Sequence, residues 1–189
     1  MTSLVPCETG RLQRTPGLVL GPFYPLHCPG MGDVWTPHDM CADVNRSIEI
    51  RGRILNLAGA PVADALVEVW HADASGHYRH PSAMTRASED PGFKGCGALR
   101  TDAAGRYAFA TLKPGAYAEG VRWRAPHVHF QVTGFRDRLV TQMFFPGETL
   151  NETDFWYGSI GEISRLVAKA LADTSGRLLF GWDIVLSTG

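Results

Sequence analysis

The side chains best placed to do chemistry are two histidines one residue apart. They lie in Arg124-Ala125-Pro126-His127-Val128-His129-Phe130, which has the form of a strand entered through a proline. Side chains alternate faces along a strand, so His127 and His129 point the same way while Val128 and Phe130 turn towards a core. Two imidazoles side by side on a rigid strand are a ready pair of metal ligands. Arg124, just upstream, can bring a permanent positive charge to the same place. The competing reading is a polar strand face with each imidazole hydrogen-bonded or solvated. Two ligands are too few for a tight site, so others must come from elsewhere in the chain.

Few residues offer themselves. His71, His77 and His80 cluster in sequence and alone could be taken for a zinc site. Tyr78 lies within Gly76-His77-Tyr78-Arg79-His80, and Tyr117 follows a Pro-Gly turn ten residues before His127. Either tyrosine could equally be a core or rim aromatic with its hydroxyl satisfied. Carboxylates near turns are plentiful but have no distinctive context.

The elements that must position these residues read as short strands. Ser47 to Leu55 puts Ile48, Ile50 and Ile54 on one face, with Glu49, Arg51 and Arg53 on the other. Ala65 to His71 alternates Leu66, Glu68 and Trp70 against Val67, Val69 and His71. Residues 72–97 form a long loop of the kind that carries function. Leu99 to Thr101 and Arg106 to Thr111 read as a hairpin about Asp102-Ala103-Ala104-Gly105. The His strand runs from about Trp123 to Thr133, with Leu139 to Phe145 as its hairpin partner. The spacing of Ile160, Ile163, Val167, Ala170 and Leu171 predicts one helix over Ser159 to Ala172. Leu178 to Leu186 closes as a final strand. The fold class is therefore all-β: an antiparallel β-sandwich with long irregular loops, one helix in the C-terminal half and an irregular arm over residues 1–46.

Composition bounds the rest. With 189 residues, 44% of them hydrophobic, the chain can bury one sizeable core, and one domain is expected. Lys and Arg number 18 against 19 Asp and Glu, with no basic run, which argues against nucleic acid or an anionic membrane as partner. No apolar run is long enough to span a bilayer, and Met1 to Arg14 lacks a signal-peptide core. The four cysteines, Cys7, Cys28, Cys41 and Cys96, are scattered, so reduced thiols and a cytoplasmic protein are expected.

Taken together, several stretches resemble the intradiol ring-cleaving dioxygenases, and most of all the iron-binding subunit of the protocatechuate branch. They are Gly21-Pro22-Phe23-Tyr24, Val67-Glu68-Val69-Trp70-His71-Ala72, the Gly76–His80 run, Asp90-Pro91-Gly92-Phe93 and Leu99-Arg100-Thr101-Asp102. Leu112 to Tyr117, Trp123 to Phe130, Thr141 to Phe145 and Asp183 to Leu186 complete the match. Each piece is weak; all of them in this order are specific.

The resemblance implies a non-haem Fe(III) held by Tyr78, Tyr117, His127 and His129. The chemistry agrees, since a hard ferric ion prefers anionic oxygen and also accepts imidazole. A phenol with an ordinary pKa of ~10 needs such a cation to ionise at neutral pH. The implied reaction uses O2 to cut a catechol between its two hydroxylated carbons, giving a muconate-type diacid. In it Tyr117 is the labile ligand, opposite His129, and takes a substrate proton. Arg124 stabilises developing negative charge, and Gln142 is a polar neighbour of the site. His71, His77 and His80 are left to loop packing or the substrate surroundings. A homo-oligomer, or a related partner subunit against the arm at 22–37, is the implied assembly.

Two departures bear on substrate. Residues 1–46 lack the helical periodicity of the catechol branch's dimerisation segment. Tyr117 is followed by Ala118-Glu119, where the protocatechuate branch has a proline and a pocket-lining tryptophan, and the connection to Trp123 is shorter. The Ala118-Glu119 replacement and the shorter connection touch the pocket wall and point to a substituted or bulkier catechol. Two other readings stand beside this one: a transthyretin-like β-sandwich binding module without activity, and a zinc hydrolase using His127, His129 and a carboxylate.

Overall fold

The computed structural model describes residues 10–25, 28, 40–41, 43, 46–83, 90, 92–172 and 177–188. Most of the arm at 22–37, the first nine residues with Cys7, and Pro91 lie outside them.

Among the described residues eleven strands account for the architecture. They are β1 (Ser47–Leu55), β2 (Leu66–Trp70), β3 (Cys96–Arg100), β4 (Arg106–Leu112), β5 (Tyr117–Glu119) and β6 (Arg122–Arg124). β7 (His127–Thr133), β8 (Arg138–Phe144), β9 (Lys169–Leu171), β10 (Leu179–Gly181) and β11 (Ile184–Val185) follow. One sheet is built on β1, which pairs antiparallel with β4 along one edge and parallel with β10 and then β11 along the other. β9 extends it beyond β10. The second sheet has the order β3-β2-β7-β8, antiparallel throughout. β5 and β6 form a separate two-stranded ribbon.

The alternation read in β1 places Ile48, Ile50 and Ile54 in the core at 3% exposure or less. Val67 and Val69 from β2, and Val128, Phe130 and Val132 from β7, meet them from the other sheet. Phe130 is central: its ring contacts those of Tyr107, Phe109 and Trp182. Full burial of such a side chain contributes roughly 1.5–3 kcal/mol. The final strand is divided because the backbone passes tightly over β1. A Cβ on Gly52 would lie 1.7 Å from the Trp182 carbonyl oxygen, so only glycine fits there.

Four expectations are corrected. Residues 159–172 are not a helix. A four-residue helix α1 (Phe155–Gly158) precedes them, and they hold a 3-10 turn (Ile163–Leu166) and β9. Their apolar residues are used singly along the sheet edge: Val167 bridges Phe144, and the Ala168 amide donates to the Phe144 carbonyl. A 3-10 turn also repeats at three residues, which imitates helical spacing. Next, β3 and β4 are not a hairpin. Thr101 is tied to Val62 and Ala65 beside β2, and the turn at Asp102–Gly105 carries the chain across to β1 in the other sheet. The His strand is broken between β6 and β7, where Pro126 has no amide to donate. Finally, the thiols are not all reduced: Cys28 and Cys96 form a disulfide, with Cα atoms 5.9 Å apart. Scatter along the sequence did not prevent the arm from meeting β3. Cys41 is free and buried. The cytoplasmic expectation rested on reduced thiols and loses that ground. Among the described residues no helix is long and apolar enough to cross a membrane.

Candidate metal centre

The site lies on the outer face of the second sheet, away from the sandwich core. Register puts His129 opposite Trp70 on one side and Gln142 on the other, and His127 opposite Phe144. Trp70 stacks flat on His129, with centroids 4.9 Å apart and planes at 10°. The arm covers this face. The Leu18 amide bonds the Val140 carbonyl on the edge of β8, and Gln142 Nε2 donates to the Val19 carbonyl. Gly21, at φ +77°, lies so near His129 that a Cβ would be 3.2 Å from its Cε1. Phe23 stacks on Tyr78, and Tyr24 donates to Glu68, itself buried beside Gln131.

Two loops deliver the tyrosines. Asp73 organises the first: its carboxylate accepts from the Ser75 and His77 amides, and its carbonyl from those of Gly76 and Gly115. The last of these bonds brings the loop before β5 against the loop after β2. A Cβ on Gly76 would collide with the Ala116 carbonyl at 2.2 Å. Tyr78 and Tyr117 therefore meet edge to face, 5.3 Å apart.

The polar atoms of four side chains converge. The Nε2 atoms of His127 and His129 are 3.2 Å apart, and the Tyr78 hydroxyl is 3.4 Å from His127 Nε2. The Tyr117 hydroxyl bonds Tyr78 and accepts from Arg124 Nη1 at 3.3 Å. His127 Nδ1 lies 2.6 Å from the Ala125 carbonyl, which can only accept. Its proton is therefore on Nδ1, and Nε2 presents a lone pair to the centre. His129 Nδ1 is buried with no hydrogen-bond partner among the described residues. Arg124 is itself buried. Its Nη2 donates to Gln142 Oε1 at 2.7 Å and its Nε to Asp154 at 2.9 Å.

Electrostatics sharpen this picture. Burial holds the Tyr78 phenol well above its usual pKa, and the neighbouring Tyr117 adds to the effect. Burial also raises Tyr117, but there the Arg124 charge opposes it. Both imidazoles are pushed well below their usual range, first by burial, then by Arg124 at His127 and by His127 at His129. Alone, the site keeps two neutral phenols and two neutral imidazoles in apolar surroundings. Ionising the phenols there requires a cation. Two imidazole Nε2 atoms that face each other at 3.2 Å, backed by two phenols that a cation would acidify, fit a hard metal ion of high charge. Two nitrogens on one ion are expected at about 3 Å from each other, given metal–nitrogen bonds of about 2.1 Å.

All six residues singled out from the sequence are thus together: Tyr78, Tyr117, His127, His129, Arg124 and Gln142. His71, His77 and His80 stand apart from the centre. His71 is in the core, His77 lies 3.6 Å from Asp73, and His80 packs edge-on to Phe23. Among the described residues no group of three or more His, Cys, Asp or Glu could hold a metal, so none of them supplies the carboxylate of the zinc reading. Sequence reasoning missed Asp154. Its place before Phe155-Trp156-Tyr157 suits a helix cap, but nothing in the spacing showed it reaching Arg124.

Comparison with known proteins bears on the same residues. The family described as "Dioxygenase" matches residues 19–188, a span that includes every residue of the centre. The chain belongs to the intradiol ring-cleavage dioxygenase family. Within that family it is 44% identical over 149 residues to the protocatechuate 3,4-dioxygenase beta chain of Burkholderia cepacia, covering 74% of this chain and 63% of that one. It is 31% identical over 161 residues to catechol 1,2-dioxygenase 2 of Acinetobacter lwoffii, covering 77% and 56%. The chain thus spans less than two thirds of either relative. The dioxygenase domain of a carbohydrate-binding fusion protein from Streptomyces sp. SirexAA-E shares the fold, with TM-score 0.73, 23% identity, and coverage of 94% of this chain and all of that one.

Proposed function

We propose that this chain is an Fe(III)-dependent intradiol dioxygenase that opens a catecholic ring between its two hydroxylated carbons with O2, giving a muconate-type diacid in the breakdown of aromatic compounds. The observation that carries the reading is the convergence of two phenols and two imidazoles beside a buried guanidinium, in a chain of this family. Tyr78, Tyr117, His127 and His129 would hold the ion. Bound there, it would supply the positive charge that acidifies the phenols and the catechol and draws electron density from the ring.

The chain's own residues divide the remaining work. His127 is fixed in one tautomer by the Ala125 carbonyl, so its Nε2 is always ready to bind. Tyr78 is buried and stacked on Phe23, which suits a permanent ligand. Tyr117 is only half-buried and is the phenol Arg124 touches. Its oxygen is the one we assign to accept a catechol proton. Arg124 Nη1 stands beside that oxygen, where a fixed charge can stabilise the negative charge that builds on the substrate. The arm, through Gly21, Phe23 and Val19, excludes water from the face that carries the imidazoles.

The substrate proposed is a substituted catechol. The chain carries Ala118 and Glu119 on β5 beside the site, and both are exposed. Ala118, the residue that follows Tyr117, is small. The test is turnover of the ferric protein on catechol, protocatechuate, hydroxyquinol and bulkier 4-substituted catechols. Ring opening with the bulkier catechols preferred is expected. Strong preference for plain protocatechuate would contradict the substrate, and no ring opening would contradict the function.

A further inference from the structure

Asp154 is a carboxylate at 1% exposure, the most buried acid of the described residues. Burying a charge costs several kcal/mol unless partners replace its water, and here four do. Oδ1 accepts from the amides of Trp156 at 2.9 Å and Tyr157 at 3.1 Å. Oδ2 accepts from Arg124 Nε at 2.9 Å and the Ala125 amide at 2.8 Å. Capping α1 uses only the first oxygen. That helix is four residues long with no buried residue, so a cap alone does not account for a buried charge.

The second oxygen does something else. A guanidinium is planar and rigid. Fixing its Nε on Asp154 and its Nη2 on Gln142 Oε1 fixes the plane, which leaves Nη1 directed at the Tyr117 hydroxyl. The same oxygen holds the Ala125 amide, so the turn that leads into β7 is anchored at the same point. Glu119 is no substitute. Its carboxylate is 45% exposed and 3.6 Å from Nη1, on the side of Arg124 that faces Tyr117.

We propose that Asp154 is a positioning residue that sets the orientation of Arg124 against Tyr117. The part of this inference that concerns turnover rests on the proposed dioxygenase activity; the geometric part does not. Among the described residues Asp154 hydrogen-bonds none of the four candidate ligand side chains; its side-chain partner is the guanidinium, through which it acts.

Two measurements test it. In the metal-free, 15N-labelled chain, the Arg124 Nε–H resonance is assigned by its loss in Arg124→Lys. It should be shifted downfield, exchange slowly and correlate with the Asp154 carboxylate carbon. It should return to the free-arginine position in Asp154→Asn and stay in place in Glu119→Gln. A wild-type resonance at the free position would overturn the proposal whether or not Asp154→Asn folds. In the ferric protein, Asp154→Asn should lower kcat about 10–100-fold while KM moves less than about threefold. On an Arg124→Ala background the same change should cost less than about threefold, because its route of action is already gone. Equal losses on both backgrounds would mean a merely structural role and would overturn it. If the wild-type ferric protein opens no catechol, the function fails while the resonance test still decides the placement of Arg124.

Discussion

Trp70 and His71 are neighbours at the end of β2, yet they serve opposite faces of one sheet, and each is in contact with or is a buried imidazole. Outward, Trp70 stacks on His129. Inward, His71 is fully buried against Phe93 and the β4 residue Thr111. His71 has both ring nitrogens closed: Nδ1 on the Ala72 carbonyl at 2.7 Å and Nε2 on the Thr111 hydroxyl at 2.7 Å. His127 closes one nitrogen and leaves the other facing His129, whose Nδ1 has no partner among the described residues. Burial is common to both faces. What separates a structural histidine from a candidate ligand is the bookkeeping of its second nitrogen.

That contrast can be broken by substitution. Replacing His127 or Tyr117 should cost about 10³-fold or more in kcat, with the ferric visible absorption bleached or shifted in each case. Replacing His71 with Gln should leave the ferric absorption and KM unchanged and lower thermal stability alone. If the His71 variant lost iron, the division between the two faces would be wrong. Arg124→Ala comes next. It should lower kcat about 10²–10³-fold and also destabilise the fold, because the buried Asp154 would lose its counter-charge and keep only its three amide donors. A normal melting temperature would show that the pair is not desolvated as described.

Acid offers a gentler way to sharpen the comparison. Burial lowers the His71 pKa from 6.5 to about 4. The unfolded chain therefore binds a proton between those values that the folded chain does not. Stability from this group is complete above pH 6.5, falls as pH drops through the window, and is lost by about pH 4. The loss is about 3 kcal/mol. Urea melts at pH 7 and pH 4.5 should show that slope flattened in His71→Gln. An unchanged slope would assign the acid sensitivity elsewhere. The smallest expected effect belongs to Glu119→Gln, an exposed charge. It should change kcat/KM by no more than about fivefold on neutral catechols, since a surface pair contributes about 0–1 kcal/mol.

Much of this was legible in the sequence, and the reasons differ by element. β1 was read to the residue because Ile48, Ile50 and Ile54 share one face, broken only by Gly52, against Glu49, Arg51 and Arg53 on the other. The imidazole pair was visible because His-x-His on a strand fixes one face. The two tyrosines were not separable from ordinary aromatics by spacing. They came from the family resemblance, since what joins their loops is Asp73, bonded to the Gly115 amide, and the close approach of Gly76 to Ala116, far apart in sequence. The false helix at 159–172 and the false hairpin at Leu99–Thr111 share a cause. Local periodicity and turn chemistry describe short pieces, while the sheet a strand joins is decided by partners elsewhere. Asp154 and the Cys28–Cys96 pair were hidden for the same reason, each being long-range.

The central claim is that two phenols and two imidazoles form one metal centre, and ferric loading measures it most directly. Titration of the metal-free chain with Fe(III) should end at one ion per chain, with a broad visible band from tyrosinate-to-iron charge transfer that Tyr78→Phe and Tyr117→Phe each weaken or shift. A colourless protein at saturation, or a band indifferent to both substitutions, would contradict it.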